Sequence, residues 1–217
     1  MIQILNDQER RKLDHRIAEA EKLTGAQIVL AVVKRSDSYP EIPWKAFAIG
    51  VSVSGLVVFL LDLFFSTWMS QTTFLIAAIS GTLLVGVLFA LLTIGITGLA
   101  RLFLSENRSE EEVRQYAESA FFDRGIFATS QRTGILVLVS IFERRVIILP
   151  DTGLQEFLGR EAIEEIISVM TPILASGDVA HALKEGLKSL EKTLAGKIED
   201  RLPPNELAND IIEERGA

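Results

Sequence analysis

The sequence contains no cysteine and only two histidines among its 217 residues. The absence of cysteine excludes a disulfide framework, a thiolate zinc site and a cysteine nucleophile. The two histidines, His15 and His181, are far apart along the chain and give imidazole chemistry little material. Because 29 acidic residues outnumber 22 basic ones and no basic stripe is interleaved with aromatic residues, we do not expect nucleic acid as a partner.

Charge is nearly missing from one long segment of the chain. Of the 22 basic and 29 acidic residues, only Asp62 lies within residues 46–100, and this segment also has no proline. A membrane-spanning helix needs about 20 predominantly apolar residues. The segment offers two such lengths, 46–65 and 74–100, separated by the polar and uncharged residues 66–73. We therefore predict a transmembrane helical hairpin over residues 45–101.

Basic residues lie on the outer flanks of the two predicted spans and are missing from the loop between them. They are Lys34, Arg35 and Lys45 before the first span, and Arg101, Arg108 and Arg114 after the second. Because Lys and Arg resist translocation, this asymmetry predicts that both termini lie in the cytoplasm and that the loop faces outward across the inner membrane. The lipid bilayer is then an expected partner of the chain.

Two further features of the apolar segment concern its contacts. Asp62 lies near the outward end of the first span, so we interpret it as an interfacial residue rather than a proton relay or an ion ligand. Small residues recur four positions apart, Ala77 with Gly81 and Gly86 with Ala90. Such spacing allows helices to approach closely, either within the hairpin or between protomers, which leaves a homo-oligomer open.

The polar segment before the hairpin contains elements that cannot form a core alone. Residues 6–24 are predicted to form an amphipathic helix, with Asn6 as its N-cap and Glu9 completing a capping box. Residues 28–33 are a continuous β-rich apolar run, which is typical of a strand buried on both faces. One helix and one strand bury too little surface, so we expect them to pack against elements that follow the hairpin.

The segment after the hairpin supplies those elements. Ser109 and Glu112 predict a capping box at the start of a helix that stops near Gly125. Two apolar strands and two helices then follow. Their predicted ranges are 135–141 and 146–149 for the strands, and 161–175 and 179–198 for the helices.

The order of these elements predicts an α/β fold. A small mixed sheet should carry helices on both faces, giving a three-layer α/β/α sandwich that the transmembrane hairpin interrupts. Residues 1–44 and 102–200 then form one domain in two parts, and residues 201–217 form a C-terminal tail. The hairpin should occupy the connection between the first two strands.

Three stretches of the polar segments share a pattern with a known family. They are residues 24–33 (TGAQIVLAVV), 120–129 (AFFDRGIFAT) and 132–153 (RTGILVLVSIFERRVIILPDTG). This pattern resembles the TPM domain family. The tail residues 203–207 (PPNEL) also resemble the end of that family's short bacterial membrane branch, in which two spans interrupt the domain. The resemblance implies an α/β/α sandwich.

The functions that this resemblance implies differ in kind. Members of the family have been proposed as acid phosphatases, as calcium binders and as non-catalytic helpers of membrane-protein complexes. A cytoplasmic domain would meet little calcium, so a calcium site would need high affinity. Because two spans would hold the domain against the bilayer and the sequence gives chemistry little support, we expect an adaptor or an assembly or maintenance factor with a membrane-protein partner. The alternative is a metal-assisted acid phosphatase that hydrolyses phosphomonoesters at the cytoplasmic membrane face.

A phosphatase needs an activated nucleophile or water, and cations that neutralise the phosphate. The predicted loops supply Asp37, Asp123 with Arg124, and Asp151 as candidate catalytic residues. Asp37 and Asp151 both follow strand ends, which makes them candidate ligands for a divalent cation, calcium or magnesium. Ligands gather at the carboxyl ends of parallel strands. Because the third strand returns antiparallel to the second, the pattern leaves the convergence of these acids open.

Two short motifs near these residues favour structural interpretations. The Asp151-Thr152-Gly153 triplet matches the aspartic-protease motif, but that chemistry needs two such carboxylates facing each other. We interpret the triplet as a turn at the end of a strand. The Glu143-Arg144-Arg145 sequence is interpreted as the solvated tip of a β-hairpin.

Overall fold

A computed structural model of the protein describes residues 4–64, 71–197, 206–207 and 211–216. Residues 66–70 of the predicted polar loop, Ile198 at the end of the predicted last helix, and residues 203–205 of the tail lie outside the described residues. The chain divides into two compact units. One consists of Met1–Asp37 with Ser109–Ala217, and the other of Ser38–Arg108.

The described residues form seven α-helices and four β-strands. In chain order these are α1 (Asp7–Thr24), β1 (Gln27–Arg35), α2 (Glu41–Phe64), α3 (Gln71–Gly95), α4 (Thr97–Leu102), α5 (Glu106–Asp123), β2 (Gly134–Ser140), β3 (Arg145–Pro150), α6 (Arg160–Ser176), α7 (Val179–Leu194) and β4 (Ile212–Gly216). The predicted mixed α/β fold is therefore confirmed.

The four strands form a single sheet in the order β3-β2-β1-β4. β1 pairs in parallel with β2, and Gln27 lies opposite Gly134 at the start of both strands. β3 returns antiparallel to β2, whereas β4 adds in parallel to the other side of β1. The strand before the predicted hairpin therefore pairs directly with the strand after it.

Both faces of the sheet are covered, because successive side chains of a strand point to opposite faces. Ile28, Leu30 and Val32 of β1 pack in a core with buried residues of α1, α6 and α7. The alternate residues of β1 pack in a second core with Val113 and Ala117 of α5. The sheet and the helices packed on each of its faces form the three layers that the sequence predicts. The two cores between these layers explain why β1 is apolar on both faces.

The helix ends show where local signals hold and where they fail. Asn6 caps α1, with Glu9 completing the predicted capping box, and Gly25 ends the helix in the left-handed conformation at φ 71°. α5 begins at Glu106, so the predicted N-cap at Ser109 is wrong. Ser109 lies inside that helix, where its hydroxyl accepts a hydrogen bond from Arg145 Nε at 3.1 Å.

In the second unit, α2 and α3 are long and apolar enough to cross a membrane. In each helix only 6% of the most apolar 18-residue stretch is buried within the chain. This exposure is the reverse of what the core helix of a soluble protein shows. Asp62 lies in the last turn of α2 and is exposed.

The predicted second span is not one continuous helix. Ile96 leaves the helical conformation at φ −116° and ψ 99°, between the end of α3 and the start of α4. The absence of proline made an unbroken helix to residue 100 the expectation, which is wrong. Gly95 and Gly98 flank the break, and glycine lowers helix propensity by about 1 kcal/mol relative to alanine.

One of the predicted small-residue positions brings α2 and α3 together. A Cβ on Gly86 would lie 2.6 Å from Val51 Cγ2 and 2.9 Å from the Phe47 ring, and Gly50 lies against Gly86 on the facing helix. A Cβ on Gly81 would meet nothing within 4 Å. The close contact therefore depends on Gly86 and Gly50.

Candidate functional site

The three predicted acidic residues lie in different places on the domain. Asp37 follows the carboxyl end of β1, whereas Asp151 follows the end of β3. Because β3 is antiparallel to β2, its last residue, Pro150, lies opposite Ile135 at the start of β2. Asp37 and Asp151 therefore lie at opposite ends of the strands. One strand length, roughly 20 Å, separates them.

This separation decides whether the predicted ligands fit a divalent cation. Oxygen ligands lie about 2.0–2.6 Å from Mg²⁺ or Ca²⁺, so Asp37 and Asp151 cannot share one ion in this arrangement. Within the described part of the chain, no group of three or more Asp, Glu or His side chains is placed to hold a metal. The donor set that the sequence predicts therefore does not fit a shared metal site.

Asp123 is the last residue of α5 and lies on the surface. Its carboxylate accepts a hydrogen bond from Ser119 Oγ at 3.1 Å. The neighbouring predicted cation, Arg124, donates to Glu214 of β4 rather than to another candidate acid. The structure therefore brings Arg124 to the C-terminal strand and does not bring Asp123 to Asp37 or Asp151.

Asp151 is only 5% exposed, and its surroundings explain the Asp-Thr-Gly triplet. Its Oδ1 accepts a hydrogen bond from the Thr152 backbone N–H at 2.7 Å, which caps a short 3₁₀ helix. Its Oδ2 lies 3.7 Å from Arg132 Nη1. A Cβ on Gly153 would come within 2.7 Å of two backbone carbonyl oxygens, so the glycine permits a close approach of the backbone. The triplet forms a turn, as we interpreted it.

The carboxyl edge of β1 and β2 contains a buried polar network that the sequence analysis missed. Glu143 is only 8% exposed, so the interpretation of this residue as part of a solvated tip is wrong. Its Oε1 accepts hydrogen bonds from the Ser36 N–H at 3.0 Å and from the Ser36 hydroxyl at 2.6 Å, and its Oε2 accepts one from the Ser140 hydroxyl. Arg144, with φ 54°, makes the turn that directs Glu143 inward.

This network ties the ends of the two parallel strands together. Ser36 directly follows β1 and Ser140 is the last residue of β2, so one carboxylate joins both strand ends through the turn that leads to β3. Carboxylates that accept several hydrogen bonds are well compensated for burial. The signal in the sequence was a serine at the carboxyl end of each of two apolar strands, with an acid three residues after the second.

Basic side chains surround this edge of the sheet. The Arg35 guanidinium lies over the Phe142 ring, 4.4 Å from its centroid, and Arg144 is exposed. Arg145 donates to Ser109 and lies 3.4 Å from Glu110. With the Glu143 carboxylate held by three donors, Arg35 and Arg144 give this end of the strands positive charge that could attract an anion.

The C-terminal strand β4 was not predicted from the sequence, which assigned these residues to a tail. On one face of the sheet, the Glu213 carboxylate accepts hydrogen bonds from the Ile4 N–H at 2.7 Å and from Arg10 at 2.5 Å. On the other face, the Glu214 carboxylate accepts one from the Tyr116 hydroxyl at 2.5 Å and pairs with Arg124. Both glutamates are therefore held by side chains of the domain.

The pKa of Tyr116 reports this environment. Burial of the phenol raises its pKa well above its usual range, and the hydrogen bond to the Glu214 carboxylate and the negative charge of that group raise it further. The phenol therefore stays protonated and remains a hydrogen-bond donor to Glu214 over the whole physiological pH range.

The described residues 206–207 lie at the opposite end of the strands, near the start of β1. Glu206 accepts hydrogen bonds from the N–H of Ser130 at 2.8 Å and from its hydroxyl at 2.6 Å, and these donors lower the pKa of the Glu206 carboxyl. The backbone N–H of Glu206 donates to the Gln27 side chain at 3.0 Å. Glu206 and Leu207, the described residues of this part of the tail, are thus attached at the start of β1.

Similarity to known proteins agrees with this fold. The sequence pattern of the TPM domain matches residues 99–193. The NMR structure of the BA42 protein from the psychrophilic bacterium Bizionia argentinensis is similar over 96% of this chain and 94% of that chain, with 13% identical residues and a TM-score of 0.56. At that identity the likeness concerns the fold alone. No curated protein sequence matches the chain. Residues 99–193 therefore carry the sequence pattern of the TPM domain.

Proposed function

We propose that the chain is a membrane-anchored TPM-domain protein that acts as a non-catalytic adaptor, or as an assembly or maintenance factor, for membrane proteins. The observation that carries the proposal is the separation of its acidic side chains. Asp37 and Asp151 lie at opposite ends of the strands, and Asp123 lies at the end of α5. The buried carboxylate of Glu143 accepts three hydrogen bonds within the domain. The candidate acids are therefore not gathered into one constellation of reacting groups.

The membrane anchor in this proposal is the α2–α3 hairpin. Its apolar side chains are exposed along both helices, and patches of this size cannot face water in a stable monomer. The flanking basic residues Lys45 and Arg101 favour an orientation with both termini in the cytoplasm and the connecting residues outside the inner membrane.

The orientation has a direct test, because the chain has no native cysteine. A cysteine in place of Gln71, at the start of α3, should react with a membrane-impermeant maleimide added outside intact spheroplasts. A cysteine in place of the exposed Glu156 should react only after the membrane is opened. Labelling of the Gln71 position only from the cytoplasmic side would contradict the topology.

The adaptor role predicts a defined partner in the membrane. A photoreactive phenylalanine analogue at the exposed position Phe122 should give one discrete crosslinked product in cells, and the partner should itself be a membrane protein. The same analogue at Leu23, exposed on the other helical layer, provides a matched control. Equal and heterogeneous adducts from both positions would argue against a specific partner.

A metal-assisted phosphatase is the alternative, and one observation favours it. Asp37 follows the end of β1 beside the cationic edge that carries Arg35 and Arg144, where a phosphate group would be attracted. Titration calorimetry of the purified chain with Ca²⁺, Mg²⁺ and Mn²⁺ tests this alternative. Binding that is lost in Asp37→Asn and retained in Asp123→Asn would support it, whereas no binding of any of these ions would argue against it.

A further inference from the structure

The outer strand of the sheet is supplied by the last described residues of the chain. β4 pairs in parallel with β1 and places Ala31 opposite Ile212 and Arg35 opposite Gly216. It follows α7 only after residues 195–211, so local chain geometry does not fix its position. A strand added from a distant segment to a sheet edge is the arrangement by which many domains bind extended peptides.

The side chains of this segment alternate between the two cores. Ile211 packs in the core of α1, α6 and α7, and Ile212 packs against the core of α5. Glu213 then returns to the first face and Glu214 to the second. The edge therefore accepts a pattern of two apolar residues followed by two acids, with one of each on either face.

Each acid enters a receptor built from the rest of the domain. The Glu213 side chain is only 1% exposed, and its carboxylate is held by Arg10 and the Ile4 N–H. The Glu214 carboxylate is held by Arg124 and Tyr116. These four donors belong to α1, to α5 and the residue that follows it, and to the residues before α1. They therefore remain available to a different acidic segment when β4 is away.

The position after the acids is restricted as well. Gly216 has φ 73°, and a Cβ there would lie 1.5 Å from the carbonyl oxygen of Arg35. Only glycine allows the strand to pass this close to the end of β1. The intervening residue, Arg215, is exposed. This edge of β1 therefore favours a segment with two apolar residues, then two acids, then any residue, and then a glycine.

We propose that this edge of β1 is a docking slot for an extended acidic segment of another protein, and that residues 211–216 occupy it as a built-in competitor. The inference rests on the proposed adaptor function and gives the chemistry of its partner. The charges favour this occupant, because Arg10 and Arg124 would face an apolar or basic segment without a carboxylate to pair with. A partner segment must compete with a tethered strand whose effective concentration is on the order of millimolar.

The test uses the full chain in lipid nanodiscs and a fluorescent peptide with the sequence of residues 209–217. Ala31→Cys with Ile212→Cys allows the tail to be locked by a disulfide, since neighbouring strands bring Cα atoms within the usual bridging range. The peptide should bind the reduced protein, and oxidation should weaken binding at least about tenfold. A chain that ends at Leu207 should bind the peptide about tenfold more tightly than the full chain.

Specificity for the acids is tested with altered peptides. Replacing either glutamate by glutamine should weaken binding about tenfold, because hydrogen bonds to charged groups are the stronger ones. Replacing the exposed arginine by glutamine should change it little. In the protein, Arg10→Gln or Arg124→Gln should remove the preference for glutamate at the matching position.

Three results would overturn the inference: equal binding by the oxidised and reduced proteins, equal binding of the glutamate and glutamine peptides, or no binding to either the reduced full chain or the shortened one. If the shortened chain fails to fold, the comparison of oxidised and reduced full chain decides. Phe122 lies in α5, outside β4, so its crosslinking can be measured whether or not the peptide binds. A failed peptide experiment with a discrete crosslinked partner would therefore reject the slot and leave the adaptor function standing.

Discussion

Removing the Glu143 carboxylate should destabilise the joined ends of β1 and β2. In Glu143→Ala, three donors lose their acceptor: the backbone N–H of Ser36, the hydroxyl of Ser36 and the hydroxyl of Ser140. Both serines are buried. The backbone N–H cannot reorient, whereas the hydroxyls can rotate toward other acceptors.

The size of the effect follows from these differences. A buried N–H without a partner costs about 1–3 kcal/mol, and each of the two hydroxyl bonds, which can be partly replaced, contributes about 0.5 kcal/mol. Together these give a destabilisation of about 2–4 kcal/mol. That is a large share of the total stability of a domain, which is about 5–15 kcal/mol.

Hydrogen exchange of the β1 and β2 amides in nanodiscs measures this loss. If exchange occurs through opening of the domain, about 2–4 kcal/mol corresponds to roughly 30- to 700-fold faster exchange. Glu143→Gln keeps one acceptor oxygen and should lie between the alanine variant and the native protein. The control is Glu156→Ala at an exposed position, which should stay within about 0.5 kcal/mol of the native protein. Protection in Glu143→Ala equal to that of the control would refute the structural role of the network.

Three other perturbations test separate parts of the structure. Because the folded pKa of Tyr116 is raised, its stabilising contribution is present below the ordinary tyrosine pKa of about 10 and is lost as the pH rises above it. The phenolate absorbance that disappears in Tyr116→Phe should develop above that pH, and an ordinary midpoint would contradict the prediction. Gly86→Val should weaken the contact between α2 and α3 by about 1–3 kcal/mol, whereas Gly81→Val should not. Helix–helix energy transfer in bilayers measures this contact, and an equal loss of transfer in both variants would contradict it. Gly216→Ala should release β4 and speed proteolysis of the tail about tenfold. Gly159→Ala, at a position with open space around it, should leave the rate unchanged. A tail that stays intact in Gly216→Ala would contradict the close packing of β4 against β1.

Hydrophobic patterning was sufficient to predict the central layers of the fold. β1 and β2 are nearly pure apolar runs, and a strand buried on both faces needs helices on both sides. The capping box of α1 satisfies its own backbone groups, so it was readable within four residues. Local signals of this kind do not depend on the rest of the chain.

The remaining elements depend on contacts between distant residues. β4 contains two glutamates and an arginine and has no apolar alternation, so its own sequence does not predict a strand. Its glutamates are held by Arg10 and Arg124, which other parts of the chain supply. Ser109 matched a capping signal, yet it lies within α5 and contacts Arg145. Tertiary contacts overrode the local preference in both cases.

The candidate site shows the same limit. Sequence reasoning found Asp37 and Asp151 as acids after strand ends, but their separation follows from the antiparallel direction of β3. It treated Glu143 as exposed, since charged residues in hairpin turns usually are. Only the matched ends of β1 and β2 bring Ser36 and Ser140 to that carboxylate.

Hydrolysis of a phosphomonoester by the purified chain tests the central claim, that this domain acts by binding rather than by chemistry. The protein in nanodiscs is supplied with p-nitrophenyl phosphate and, in turn, Ca²⁺, Mg²⁺ and Mn²⁺. We predict the same background rate for the native chain and for Asp37→Ala, Asp123→Ala and Asp151→Ala. Turnover by the native protein that Asp37→Ala or Asp151→Ala abolishes would contradict the account and establish the phosphatase.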